Sequence, residues 1–273
     1  MIVNGKAIAE KLYGELATER KEFGEVSLGI LVGDKNPVTY SYVTIKERGS
    51  DRLGITLVRK ELPEGSQTKQ AVAAMEELVK DVDGVIPQLP MMHGIDAEKV
   101  IEAMPKEKDI DVLSSDAYAA FEKGNWPAIP PVPAALAYIL EESGVDVRGK
   151  KIVSLGRGRL VGKPASVLFR QLGASVELLG RDANIPEYTK DADIIILGAG
   201  VPGILKPDMV KDGVAIVDAG TSELGGKVVG DADPAVAEKA GVFTPVPGGV
   251  GPVAIAMIYK NVFALKRLQN ALQ

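Results

Sequence analysis

Residues 244–252 read TPVPGGVGP. Pro245 and Pro247 fix φ on one side, Gly248, Gly249 and Gly251 free it on the other, and Val250 is the only bulky side chain after Pro247. Such a segment is expected to be neither helix nor ordinary strand. It lies between a strand-like apolar run at 241–243 and a helix-like run at 253–268. A shaped loop in that place presents bare backbone to a flat ligand, and a tight turn with no ligand is the plainer reading.

Upstream of the loop, apolar runs alternate with helix-period segments. Strands are predicted at 27–32, 55–62, 84–89, 151–155, 175–179, 193–197, 214–218 and 241–243, and helices at 6–23, 38–53, 66–80, 96–104, 133–143, 162–172 and 234–240. This alternation predicts an α/β chain with mostly parallel sheets. Residues 114–133 break the rhythm, and NWPAIPPVP at 125–133 is read as an irregular crossing between two α/β units. The last helix, 253–272, is long and amphipathic, and is expected to pack back on the first of them.

The 273 residues suffice for two modest domains. Hydrophobic residues make up 46% and charged residues 25%, the balance of a globular protein, and a net charge of −5 argues against nucleic-acid binding. There is no cysteine, which excludes disulfides, thiolate nucleophiles and zinc–thiolate sites. The beginning, MIVNGKAIAEKL, lacks a secretory apolar core, and no apolar run reaches the roughly 20 residues that span a bilayer, so a cytoplasmic location is expected.

Strand 151–155 runs into GRGRLVGKP (156–164) and then a helix. That arrangement puts phosphate oxygens on free N–H groups at a helix N-terminus. The spacing is one residue longer than the usual dinucleotide fingerprint, but a further strand ends in LGAGVPG (197–203), giving a second glycine turn at the same sheet end. Glycine turns that merely join βα units remain the alternative. At the tip of the second strand, Gly180 and Arg181 precede Asp182, and Arg157 and Arg159 lie in the first turn. Guanidinium groups suit a 2′-phosphate, which favours NADP; Asp182 keeps NAD open.

The single histidine, His93, reads as structural or solvated, and no spacing suggests a metal site. Lys46 is the remaining proton carrier. Tyr42 and Lys46 are four apart in TYSYVTIKERG and share a helix face, which is also common on helix surfaces that do nothing. Gln88 ends a buried strand in GVIPQLP, where open α/β sheets contact ligands, and KDIDV (108–112) sets two aspartates before the crossing, where a solvated acidic turn would look the same.

TPVPGGVGPVAIAM resembles the C-terminal signature of the methylenetetrahydrofolate dehydrogenase/cyclohydrolase family. Other segments agree: GRGRLVGKP is similar to GRSxxVGKP, with Gly158 where serine is usual, and SYVTIK, IPQLP, KDID, PPVPAAL and GDAD are similar to SYVxxK, VQLP, KDVD, PCTPxGxxxL and GDVD. The resemblance spans nearly the whole chain. It implies an N-terminal α/β catalytic domain (1–137 with 253–273), a Rossmann-type dinucleotide-binding domain (138–252), and an interdomain cleft. It implies Lys46 as the catalytic lysine, with Gln88 tuning its charge and Asp111 gripping the pteridine amino edge. Tyr42 would stack on the aminobenzoyl group, and Gly248, Gly249, Val250, Gly251 and Pro252 would line the folate pocket. Gly156, Arg157, Gly158, Val161, Gly162, Lys163, Arg181, Gly198, Gly200 and Thr221 would hold NADP, and two copies would pair through the nucleotide half.

The chain departs from the family pattern at Val112, a glycine in KDVDG; at 114–117, SSDA in place of HPxN; at Val132, a threonine in PCTP; and at Ala254. These bear on folate affinity and on the balance of activities. A two-domain NADP dehydrogenase resembling shikimate dehydrogenase, or an idle folate- or nucleotide-binding protein, are the rival readings.

Overall fold

The computed structural model describes residues 1–272. The chain forms two compact units: Met1–Leu12 with Pro131–Met257, and Tyr13–Pro130 with the chain from Ile258 onward. The first helix, α1 (Gly5–Glu19), contributes to both.

In the 13–130 unit, β1 (Ser27–Val32), β2 (Thr56–Glu61) and β3 (Gly84–Gln88) form a parallel sheet with β1 in the centre. Helix α2 (Pro37–Leu53) joins β1 to β2. It is sharply bounded: the Asn36 side chain accepts from the Thr39 N–H at 2.8 Å, Pro37 occupies the first turn, and Gly54 closes it at φ 61°. Those caps hold its middle turn, which carries Lys46, in regular helix. Leu31, Val85, Met75 and Leu78 build the core under α3 (Thr68–Asp81), and Val100 and Ile101 of α4 (Ala97–Glu102) join it.

In the 131–257 unit, α6 (Pro131–Glu142) leads into a five-stranded parallel sheet. Its strands are β4 (Lys151–Leu155), β5 (Ser175–Leu179), β6 (Ile194–Leu197), β7 (Ala215–Asp218) and β10 (Val242–Phe243), in the order β10-β7-β6-β4-β5. Helix α7 (Gly162–Gln171) joins β4 to β5, and α8 (Ile185–Thr189) joins β5 to β6. The strand order reverses between β4 and β6, the place where open α/β sheets bind ligands. Met1–Val3 adds to the outer edge, with the Val3 N–H donating to the Phe243 carbonyl at 2.8 Å and Phe243 N–H to Met1 at 2.9 Å.

The predicted strands and most helices are present within a residue or two, but the helix expected over 6–23 ends at Glu19 and tightens into a 3-10 turn, Arg20–Glu22, and the one expected over 234–240 is a 3-10 helix, Pro234–Glu238. Three further expectations need correction. Helix α9 (Val250–Leu272) begins inside TPVPGGVGP, so residues 250–252 are helical rather than loop. Likewise α6 starts at Pro131, inside the supposed irregular crossing. Both corrections have one cause: proline lacks only an N–H that the first helical turn leaves unused, so it opens helices as readily as it breaks them. Residues 115–122 are a further helix, α5 (Ser115–Glu122), capped by the Ser114 hydroxyl. The antiparallel pair β8 (Ser222–Leu224) and β9 (Lys227–Val229) was not foreseen either, although its Gly225-Gly226 turn, with φ of 60° and 74°, is a strong hairpin signal.

Candidate active site

Lys46 sits in the middle of α2, only 7% exposed. Its ammonium donates to the Gln88 Oε1 at 2.7 Å. The Gln88 amide nitrogen donates to the Leu89 carbonyl at 2.8 Å, which fixes the oxygen towards the lysine. Burial lowers the Lys46 ionisation below the usual lysine range, and the Asp111 charge pushes part of the way back. Burial likewise raises Asp111, opposed by Lys46. An amine whose burial favours its neutral form, aimed by a neutral amide and beside one carboxylate, is suited to taking and returning a proton. Tyr42 lies one turn earlier on α2 and is 45% exposed.

The turn carrying Asp111 is held by Asp109. That carboxylate is fully buried, and its Oδ2 accepts from the Leu113 N–H at 2.8 Å and the Ser114 N–H at 2.7 Å. Its Oδ1 has no partner, and burial pushes its ionisation up to about 6. Because the folded value lies above the unfolded one of about 3.9, this contribution to stability is complete below about pH 4 and is lost as pH rises through about 6. Asp109→Asn is expected to gain on the parent by roughly 2 kcal/mol between pH 4 and pH 7, read from urea midpoints; parallel curves would remove Asp109 from the account.

Val112 has φ 55°, the one residue other than glycine at positive φ among the described residues. A β-branched side chain is strained there, while its burial stabilises. Val112→Gly is expected to leave unfolding free energy within about 1 kcal/mol, since about 1–2 kcal/mol of relieved strain offsets the lost side chain. The same change at Val85, buried in β3, is expected to cost about 3 kcal/mol or more by urea denaturation.

In the other unit the two glycine turns lie against each other. A Cβ on Gly156 (φ 104°) would sit 2.4 Å from the Gly198 carbonyl oxygen, one on Gly162 1.6 Å from the Gly156 oxygen, and one on Gly198 2.5 Å from the Val161 side chain. A Cβ on Gly200 would meet open space, and one on Gly158 would make only an ordinary contact, 3.9 Å from the Gly198 carbonyl oxygen. No side chain caps α7; in its first turn the Lys163 N–H donates to the Gly158 carbonyl at 3.1 Å and Pro164 has none, so the Gly162 N–H is the one that an anion could meet. Arg157 reaches across the tip of β5, where its guanidinium nears Gly180 and donates to the Leu178 carbonyl at 3.5 Å. Lys163, Arg181, Asp182 and Thr221 are exposed around these turns. This set fits a dinucleotide with an added phosphate.

Two aspartates without an assigned role build this turn. Asp231, fully buried, accepts from the N–H groups of Ala199 (2.6 Å), Gly200 (3.0 Å) and Val201 (2.8 Å). Asp218 accepts from Gly220 and Ala232, both at 2.8 Å, and burial pushes its ionisation up to about 6. In the same unit, the Gly248 carbonyl accepts from the Gly5 N–H at 3.1 Å, and a Cβ on Gly5 would collide with Gly249. Val250, Gly251 and Pro252 form the first turn of α9. His93 is exposed, and no group of three or more acidic or histidine side chains converges on a metal position among the described residues.

Two family models match: the catalytic domain of tetrahydrofolate dehydrogenase/cyclohydrolase over residues 3–111, and its NAD(P)-binding domain over residues 130–270. The chain belongs to this family. The bifunctional protein FolD of Methanoculleus marisnigri is 34% identical over 99% of this chain and 98% of its own length. The crystal structure of the bifunctional FolD dehydrogenase/cyclohydrolase of Campylobacter jejuni superposes with a TM-score of 0.93 at 32% identity, covering 98% of this chain and 99% of that one. The Trypanosoma brucei FolD structure, solved with NADP cofactor and an inhibitor, gives a TM-score of 0.91 at 27% identity over 99% of this chain and 98% of that one. The family match sets aside the shikimate-dehydrogenase-like reading.

Within the tetrahydrofolate dehydrogenase/cyclohydrolase family, the departures noted in the sequence now have places. Val112 occupies a backbone conformation that glycine adopts freely. Of the SSDA segment, Ser114 caps α5, and Ser115 donates to Glu102 from its N–H (3.0 Å) and hydroxyl (2.7 Å). The substituted segment is therefore a built helix start. No helix among the described residues is long and apolar enough to cross a membrane.

Proposed function

We infer that this chain oxidises 5,10-methylenetetrahydrofolate with NADP and hydrolyses the resulting methenyl compound to 10-formyltetrahydrofolate. The observation that carries this is the buried Lys46–Gln88 pair beside Asp111, in a chain matched over both halves by the family models. NADP, when bound, supplies a hydride acceptor. The residues expected to hold it are Gly156, Arg157, Gly158, Val161, Gly162, Lys163, Arg181, Gly198, Gly200 and Thr221, with Arg157 and Arg181 meeting the 2′-phosphate.

In the first step the methylene carbon loses hydride and a cation spreads over the N5–C–N10 bridge. Asp111 holds the pteridine amino edge, Tyr42 stacks on the aminobenzoyl ring, and Gly248, Gly249, Val250, Gly251 and Pro252 line the folate pocket. An ammonium beside that cation is disfavoured, so Lys46 is further biased to the neutral amine. In the second step water adds to the bridge carbon and Lys46 takes its proton. The C–N5 bond then breaks, the hydroxyl proton leaves to form the formyl group, and the Lys46 ammonium returns a proton to N5. Gln88 keeps the amine oriented throughout.

The test follows absorbance with 5,10-methylenetetrahydrofolate, NADP and NAD in parallel. Formation of NADPH and decay of the methenyl band are expected, faster with NADP than NAD. Binding of NADP or folate without turnover would instead establish the idle-binder reading. The formyl product suits a donor role in purine synthesis. We also propose a cytoplasmic homodimer paired through the nucleotide unit, which analytical ultracentrifugation tests against a 273-residue monomer.

A further inference from the structure

Tyr259, on α9, is the largest fully buried side chain of the unit that carries Lys46. Its hydroxyl donates to the main-chain oxygen of Lys46 and accepts from the Ser50 hydroxyl at 3.5 Å. The approach depends on a gap in α2. A Cβ on Gly49 would fall 2.4 Å from the Tyr259 hydroxyl oxygen and 2.6 Å from its ring. Glycine in a helix interior destabilises by about 0.5–1 kcal/mol relative to alanine, and here it opens the space that the phenol fills. The ring is further located by Tyr13, whose centroid lies 5.9 Å away. Tyr259 therefore ties α9 to α2 at the residue whose side chain reaches Gln88 and, one turn on, at Ser50.

We propose that Tyr259 is a positioning residue for Lys46, fixing through its hydroxyl the turn of α2 from which the amine reaches Gln88. This rests on Lys46 being the proton carrier of the water step. The Lys46 carbonyl moves with its own Cα, so a shift of this turn swings the side chain at its root. Displacements near 1 Å at a reacting group cost on the order of a hundredfold in rate, and a partial shift costs less. The polar groups that face the amine are Gln88 and Asp111, neither of which touches Tyr259. Those facing the phenol are Ser50, Tyr13 and Asp51.

The experiment uses full-length protein labelled with 13Cε-lysine, the Lys46 resonance being assigned by its loss in Lys46→Arg. In Tyr259→Phe the Lys46 resonance is expected to move towards that of solvated lysines. The kcat for methenyl hydrolysis is expected to fall about tenfold with KM within twofold. Gly49→Ala, which presses on the same ring from the helix side while keeping the hydroxyl, is expected to do the same, and it carries the test should Tyr259→Phe fail to fold. An unmoved Lys46 resonance, or a moved one with unchanged kcat, overturns the proposal. A parent enzyme that hydrolyses no methenyl substrate refutes the role of Lys46 itself, and the resonance alone then decides whether Tyr259 positions it.

Discussion

Gly162→Ala is expected to lose the nucleotide turn. The added methyl would sit 1.6 Å from the Gly156 carbonyl oxygen, a backbone atom that no rotamer change can move. Gly156 itself, at φ 104°, is pressed against Gly198, so the displacement passes to the second glycine turn and from there to the N–H groups that Asp231 holds. Overpacking of this kind costs about 1–3 kcal/mol where side chains can yield, and more where the obstacle is main chain. NADP affinity, followed by the fluorescence of added NADPH, is expected to fall at least about tenfold, with a lowered urea midpoint. Gly158 provides the contrast. A Cβ there would make only an ordinary contact, 3.9 Å from the Gly198 carbonyl oxygen, so Gly158→Ser, which restores the family's usual residue, is expected to stay within about 0.5 kcal/mol of the parent. Equal behaviour of the two variants would mean that the glycines join elements and nothing more.

Lys46→Ala is expected to lower methenyl hydrolysis by about 10²–10⁴-fold, the usual contribution of a placed proton carrier. Dehydrogenase activity is expected to survive in part, because hydride transfer depends on positioning and asks no proton of the protein. The split between the two activities is the informative quantity. Stopped-flow decay of the methenyl band, beside steady-state NADPH formation, measures both in one preparation. Unchanged hydrolysis in Lys46→Ala would remove the amine from the water step, whatever happened to the dehydrogenase.

The sheets were legible in the sequence because their inner strands are buried on both faces and read as unbroken apolar runs, as in IIIL of β6 and SLGILV of β1. The three candidates of the 13–130 unit, Lys46, Gln88 and Asp111, were legible for a different reason: two lie at a strand end or just past a turn, and the third is four residues from an aromatic on a helix. Proline-rich stretches misled, since TPVPGGVGP and NWPAIPPVP each hide a helix start that their prolines permit. Asp109, Asp218 and Asp231 carry no sequence mark of their role. Each works by accepting main-chain N–H groups from residues up to 32 positions away, and such partners are visible only once the chain is folded. The pairing of Tyr259 with the gap at Gly49 is hidden likewise, since they stand 210 positions apart in the sequence.

The most direct measurement is the titration of the Lys46 13Cε resonance between pH 6 and pH 11 in the unliganded protein. Burial outweighs the Asp111 charge, so the resonance is expected to titrate below the usual lysine value of about 10.4, and lower still in Asp111→Asn. A midpoint at or above that value in the parent would show an ordinary ammonium, unable to take a proton from water at neutral pH, and would contradict the account.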